Sequence, residues 1–126
     1  GSSISEVLLN SADLITVTDR FHADDAALHV VEVLFHLLKD TFEINGNECR
    51  TTGDGPNIIL RCKSDGARAF AVSGVCGGTK PDLRGWAAMD PVDFQGTYKL
   101  VPRPCITITA AMSSKIKIIT EIEIVA

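Results

Sequence analysis

Strict alternation marks the end of the chain. From Pro104 the order runs Cys105-Ile106-Thr107-Ile108-Thr109-Ala110 and breaks at Ser113-Ser114. It then resumes with Ile116, Ile118, Thr120, Ile122 and Ile124 on one side and Lys115, Lys117, Glu121 and Glu123 on the other. A period of two sends successive side chains to opposite faces. The segment therefore predicts an antiparallel hairpin with one face on a core and the other in water.

A different period governs the first third. Ala27, Leu28, Val31, Leu34, Phe35 and Leu38 recur at helical spacing, and Asp24 stands in an N-cap position, so a main helix is expected over 24–39. Ser3-Ile4-Ser5-Glu6 has capping-box spacing and predicts a short N-terminal helix over roughly 4–12. Leu14 to Thr18 reads extended, and a strand starting near Thr41 turns at Asn45-Gly46.

Further on, residues 57–63 and 67–73 flank Ser64-Asp65-Gly66, a strong hairpin signal that would pair Lys63 with Arg68, Arg61 with Phe70 and Ile59 with Val72. Residues 77–97 read as a long irregular loop in which Asp90-Pro91 starts one helical turn, and Tyr98 to Val101 begins an edge strand before Pro102 and Pro104. The expected fold is one α+β domain over 1–126. One main helix packs on one face of an antiparallel sheet of five or six strands, with a short N-terminal helix, and the core lies between the 24–39 helix and the terminal hairpin.

Composition narrows the class. The chain has 126 residues, 45% hydrophobic and 22% charged, enough for a globular core without cross-links. Gly1-Ser2-Ser3 reads as an expression scar, which leaves room for a longer parent protein. No apolar run reaches a membrane span, and the expected compartment is intracellular, cytoplasmic or nuclear. The net charge of −4 argues against nucleic acid as the main partner. Cys49, Cys62, Cys76 and Cys105 lack metal-site spacing and are expected as free thiols.

The motifs that suggest chemistry resolve to plainer readings. His22, His29 and His36 recur every seven residues, about 10.5 Å of rise on a helix and too far to share an ion. Gly74-Val75-Cys76-Gly77-Gly78-Thr79-Lys80 lacks the spacing of a phosphate loop. Cys76 has no assignable base, and the aspartates at 54, 65, 82, 90 and 93 suit turns rather than a calcium loop. No catalytic residue, metal site or cofactor is assigned.

Two candidate surfaces remain. The loop 77–97 carries Leu83, Trp86, Met89 and Phe94, apolar side chains suited to docking a protein partner, against the plainer reading that Trp86 folds back to plug the end of the core. At the expected hairpin tip, Arg61, Lys63 and Arg68 would gather on one face over a floor of Phe70 and Val72, a patch for an anionic partner.

The stretch Asp19-Arg20-Phe21-His22-Ala23-Asp24-Asp25, the helix 28–38, then Thr41-Phe42-Glu43-Ile44 and Asn57 to Lys63 together resemble the kinase-associated (KA1-type) regulatory domain at the C-terminus of some Ser/Thr kinases. A divergent polo-box module is the more distant likeness. The resemblance covers about residues 17–75 and implies autoregulation, localisation or protein docking, with acidic lipid head groups or an acidic protein segment as the ligand of the basic patch. The expected function is a non-enzymatic protein-interaction or regulatory module, a kinase C-terminal domain or part of a scaffold. One alternative is a small-molecule-binding protein or small enzyme with a cleft between helix and sheet. Another is a structural subunit forming homo-oligomers through its C-terminal strand.

Overall fold

In the computed structural model, which describes residues 1–91 and 98–125, the described residues form strands and no helix. The first hairpin is β1 (Ser2–Ser11) with β2 (Leu14–His22), and β3 (His29–His36) follows it. A short pair, β4 (Phe42–Asn45) and β5 (Glu48–Thr51), leads to β6 (Asn57–Asp65) and β7 (Ala69–Cys76). A separate two-stranded ribbon joins β8 (Trp86–Pro91) to β9 (Tyr98–Pro102). The last two strands are β10 (Pro104–Met112) and β11 (Lys115–Val125).

Six strands form one antiparallel sheet in the order β1-β2-β11-β6-β5-β4, and three form a second in the order β3-β10-β7. The two sheets face each other. One core cluster combines Cys62, Ile116 and Ile118 from the large sheet with Ile108, Ala110 and Met112 from the small one. A second joins Cys49 and Leu60 to Ile106 and Leu37. This is a β-sandwich, and it replaces the expected α+β arrangement.

The main helix expected over 24–39 is β3. Its segment satisfies two periods at once, and burial shows which one the fold uses. Leu28, Val30, Leu34 and Leu38 are 63%, 66%, 42% and 86% exposed, whereas Val31, Val33 and Phe35 pack on the core. The run His29-Val30-Val31-Glu32-Val33 also favours a strand, because β-branched side chains lose rotamer freedom in a helix and fit a pleated surface. The expected helix over 4–12 is β1, exposed along its whole length. Among the described residues there is no helix, and so no cleft between helix and sheet, and the helix 28–38 quoted for the kinase-associated likeness contains the strand β3.

Both expected hairpins around 64–66 and 113–114 are instead crossings between sheets. The strands β6 and β7 lie in different sheets, as do β10 and β11. Lys63 therefore neighbours Ile119, Arg61 neighbours Glu121 and Glu48, and Val72 neighbours Ile108. A third crossing, residues 23–28, joins β2 to β3 at the same end of the sandwich. The crossings are tied to one another: Ala23 N donates to Ser114 O at 2.8 Å, and Arg68 N donates to Ala111 O at 2.8 Å. Gly66 makes its turn at φ +99°, and a Cβ there would lie 2.9 Å from the Lys115 carbonyl oxygen. Glycine is required on both counts.

The expected edge strand at 98–101 is β9. The helical turn expected at Asp90-Pro91 falls in β8. No helix among the described residues is long and apolar enough to cross a membrane.

The core so defined makes a direct prediction. Ile118 and Ile108 are fully buried between the sheets, and Leu34 sits on the outside of β3. Ile118→Ala and Ile108→Ala should each lower stability by about 2–5 kcal/mol. Leu34→Ala should lower it by less than about 1 kcal/mol. Urea melts of the three variants measure the difference, and a large loss at Leu34 would restore the helical reading.

Candidate functional site

The outward face of the large sheet is ordered in rows by its register. Nearest the crossings stand His22 beside Lys115, then Arg20 beside Lys117 and Asp65, then Ile119 beside Lys63. Beyond them come Glu121 beside Arg61, with Glu48 next on β5. Alternation along each strand sends all of these side chains to the same side. The face is therefore basic near the crossings and mixed further along.

At the basic end the sheet and the crossings enclose an open cleft of about 620 Å³. Its charged lining is Arg20, Arg68, Lys115 and Lys117, with Asp65 the lone carboxylate and His22 alongside. Phe21 and Ile116 also line it, and Ser113 and Ser114 form part of the rim. Each cation is placed by a feature already described: Arg20 and Lys117 by cross-strand register, Lys115 by the start of β11, and Arg68 by the crossing after Gly66.

Like charges opposite each other destabilise a sheet, and the Arg20–Lys117 pair is such a contact. Arg20 is partly relieved by Glu6 of β1, 2.6 Å from its Nη1. Among the described residues Lys115, Lys117 and Arg68 have no ion-pair partner. The cleft thus gathers uncompensated positive charge on a chain whose net charge is −4.

Of the three expected patch residues, only Arg68 lines this cleft. Lys63 stands one row away on the same face. Arg61 lies further along β6 and is neutralised there, 2.6 Å from Glu123 and 3.8 Å from Glu48. The hydrogen bond that Arg61 donates to Glu123 holds its guanidinium protonated still more firmly than usual. Phe70 and Val72 pack toward the core and form no floor for these cations.

The expected apolar docking residues are dispersed. Trp86 begins β8 and is 40% exposed, with its Nε1 donating to Gly78 O at 2.8 Å. Its ring is thus fastened to the chain segment before it. Leu83 is exposed, Met89 lies in β8, and Phe94 falls outside the described residues. The segment between β7 and β8 is fixed by Arg84, which grips Asp82 with two nitrogens at 2.9 Å and donates to Thr107 Oγ1 at 2.8 Å. Arg84 in turn keeps the Asp82 carboxyl below the ordinary carboxylate range.

One buried acid escapes a reading based on motifs. Asp19 follows Ile15 and Val17 on the inward side of β2 and is 6% exposed. Ser5 Oγ on β1 donates to its Oδ1, and its Oδ2 has no hydrogen-bond partner among the described residues. The available signal was an acid in an inward position of an alternating strand. Ser5→Ala removes the donor and leaves the buried carboxylate poorer still, so stability at neutral pH should fall by about 1–3 kcal/mol. A urea melt with no change would mean that Ser5 contributes nothing to holding Asp19.

The cysteines are all free. Burial is the main cause that pushes the Cys49 and Cys62 thiols up to about 11, and thiols so shifted are poor nucleophiles at neutral pH. Cys105 is also buried, whereas Cys76 is only partly buried. Iodoacetamide on the native protein at neutral pH should therefore modify Cys76 first, read by mass spectrometry. The thermal midpoint should be the same with and without reductant, and a fall of more than about 10 °C on reduction would require a disulfide.

Compared with known proteins, the chain matches no family model, no curated sequence and no solved structure.

Proposed function

We propose that this domain is a non-enzymatic interaction module that docks an acidic segment of a protein partner in the basic cleft at the crossing end of the sandwich. The observation that carries the reading is the cleft itself, where Arg20, Arg68, Lys115 and Lys117 meet against the single carboxylate of Asp65. Open on one side and about 620 Å³ in volume, it has room for a few side chains of an extended segment. Ile4, 61% exposed and opposite Arg20 in the β1–β2 register, supplies apolar wall beside the charges.

Binding of this kind is electrostatic in its approach and local in its contacts. Exposed charges are screened beyond about 10 Å at 0.1 M salt, so affinity should fall as salt rises. An acidic side chain there would also relieve the repulsion between Arg20 and Lys117, which the free protein offsets only through Glu6 beside Arg20 and Asp65 opposite Lys117.

The test is the double charge reversal Lys115→Glu/Lys117→Glu, titrated with a fluorescent glutamate-rich peptide beside Arg61→Glu as a control. The double variant should lose at least about tenfold in affinity, equivalent to roughly 1.4 kcal/mol, and Arg61→Glu should change little. Circular dichroism confirms the fold of both variants. Equal binding by the double variant and the parent would remove the cleft from the functional account. Binding only to phosphatidylserine vesicles, and not to the peptide, would replace the protein partner with a lipid surface.

A further inference from the structure

The strand β1 is an open edge with unusual composition. It runs ten residues at one margin of the six-stranded sheet, is paired on one side only, and is exposed throughout. Ile4, Val7, Leu8 and Leu9 are 61%, 70%, 61% and 66% exposed. Edges normally carry protection: they are short, or bear lysine, proline or an inward charge. At the opposite margin β4 is four residues long and carries Glu43. In contrast β1 has no lysine and no proline, and its one bulge lies at the far end, where the ladder to β2 shifts between Leu9 and Ser11. From Ser2 to Leu9 its ladder is regular.

We infer that β1 pairs with β1 of a second copy of this chain, antiparallel about a two-fold axis through Leu8, which joins two large sheets into one continuous sheet. The choice of occupant rests on charge and register. The only charged residue of β1 is Glu6, and Arg20 of the same chain already neutralises it at 2.6 Å. The edge therefore presents no unsatisfied charge to select a basic or acidic partner, and its match must be apolar.

Residues directly opposite in an antiparallel pair share a face, which leaves few two-fold registers. Centring on Glu6 sets two carboxylates against each other. Centring on Val7 sets each Glu6 beside Leu8. Centring on Leu8 sets Leu8 beside Leu8, Val7 beside Leu9 and Glu6 beside Asn10. The two Glu6 residues then stand four strand positions apart, about 13 Å at the usual strand rise and beyond the screening length at 0.1 M salt.

The same register joins two incomplete apolar strips. Val7 and Leu9 continue the inward row of Val17 and Ile15 on β2, and this row extends past the part of the sheet covered by β3, β10 and β7. Across the two-fold axis Leu9 and Val7 of the second copy prolong it. Pairing centred on Leu8 rests on Val7, Leu8 and Leu9, before the bulge that ends the regular ladder, so Ser2 and Ile4, which line the basic cleft, stay outside the joint. The inference goes beyond the cleft reading and does not depend on it.

Cysteine placement tests the pairing and its register together. In a Cys76→Ser background, Leu8→Cys should form a disulfide-linked dimer under mild oxidation, because self-opposed residues lie about 4.5–5.5 Å apart at Cα, within disulfide reach. Val7→Cys should stay unlinked, since the two positions would be offset by two residues. Light scattering of the uncrosslinked parent should show a dimer mass that falls on dilution. The second variant, Leu8→Lys, replaces an already exposed side chain, so the subunit should stay folded while the dimer dissociation constant rises at least tenfold. A monomer mass for the parent, cross-linking of Val7→Cys in place of Leu8→Cys, or an unchanged dimer in Leu8→Lys would each overturn the proposal. Lys115→Glu/Lys117→Glu should leave the mass unchanged, so the cleft and the edge can fail separately.

Discussion

The structure depends on one constraint: the chain must change sheets between Met112 and Lys115. On one side of that change β10 lies between β3 and β7, and on the other β11 lies between β2 and β6. Each strand is held by backbone hydrogen bonds along both margins. Each also turns its apolar side toward the other sheet, so Ile106, Ile108, Met112, Ile116 and Ile118 end within one enclosed layer. Two crossings beside it follow from the same demand. If β11 joins β6 while β10 joins β7, the link from β6 to β7 must cross alongside, and the link from β2 to β3 must cross on the other flank.

That arrangement creates the basic cleft as a by-product of connectivity. Strand ends carry polar residues because they leave the core, and here three crossings bring such ends together. Arg20 and His22 come from the end of β2, Lys115 and Lys117 from the start of β11, and Arg68 from the link into β7. Further along the same face the charges find opposite partners, as Arg61 does with Glu123 and Arg50 with Glu48. The contrast between a compensated and an uncompensated region of one sheet face directs attention to the crossing end. The same outward face offers no free margin on β11, so a second copy can add to this sheet only at β1 or β4.

Much of the strand content was legible in the sequence, because alternation in 104–124 and the apolar runs at 14–17, 57–63 and 69–73 are local properties. Partner choice was not. Asp65-Gly66 is equally good chemistry for a hairpin and for a crossing, since both need a residue with positive φ, and only the competition among distant strands decides between them. The segment 28–38 was ambiguous in kind: Leu28, Val31, Leu34, Phe35 and Leu38 fit a helix, Val31, Val33 and Phe35 fit a strand, and the available neighbour was the β10 edge. The cleft was hidden for a related reason. Arg20, Arg68 and Lys117 are unremarkable as outward or linking residues, and become a site only when topology sets them side by side.

The order of the strands along the chain also matters for how the protein is made. The two strands that sit in the middle of the sheets are the last of the described strands to leave the ribosome. Until they emerge, β2 and β6 have no common neighbour, nor do β3 and β7, and four long margins with their apolar sides stand open at once. The earlier part of the chain can hold the β1–β2 hairpin, the β4–β5–β6 meander and the β8–β9 ribbon as local units. Nascent molecules should therefore remain dependent on protection from one another until translation has passed the β11 segment, when both sheets close in a single late step.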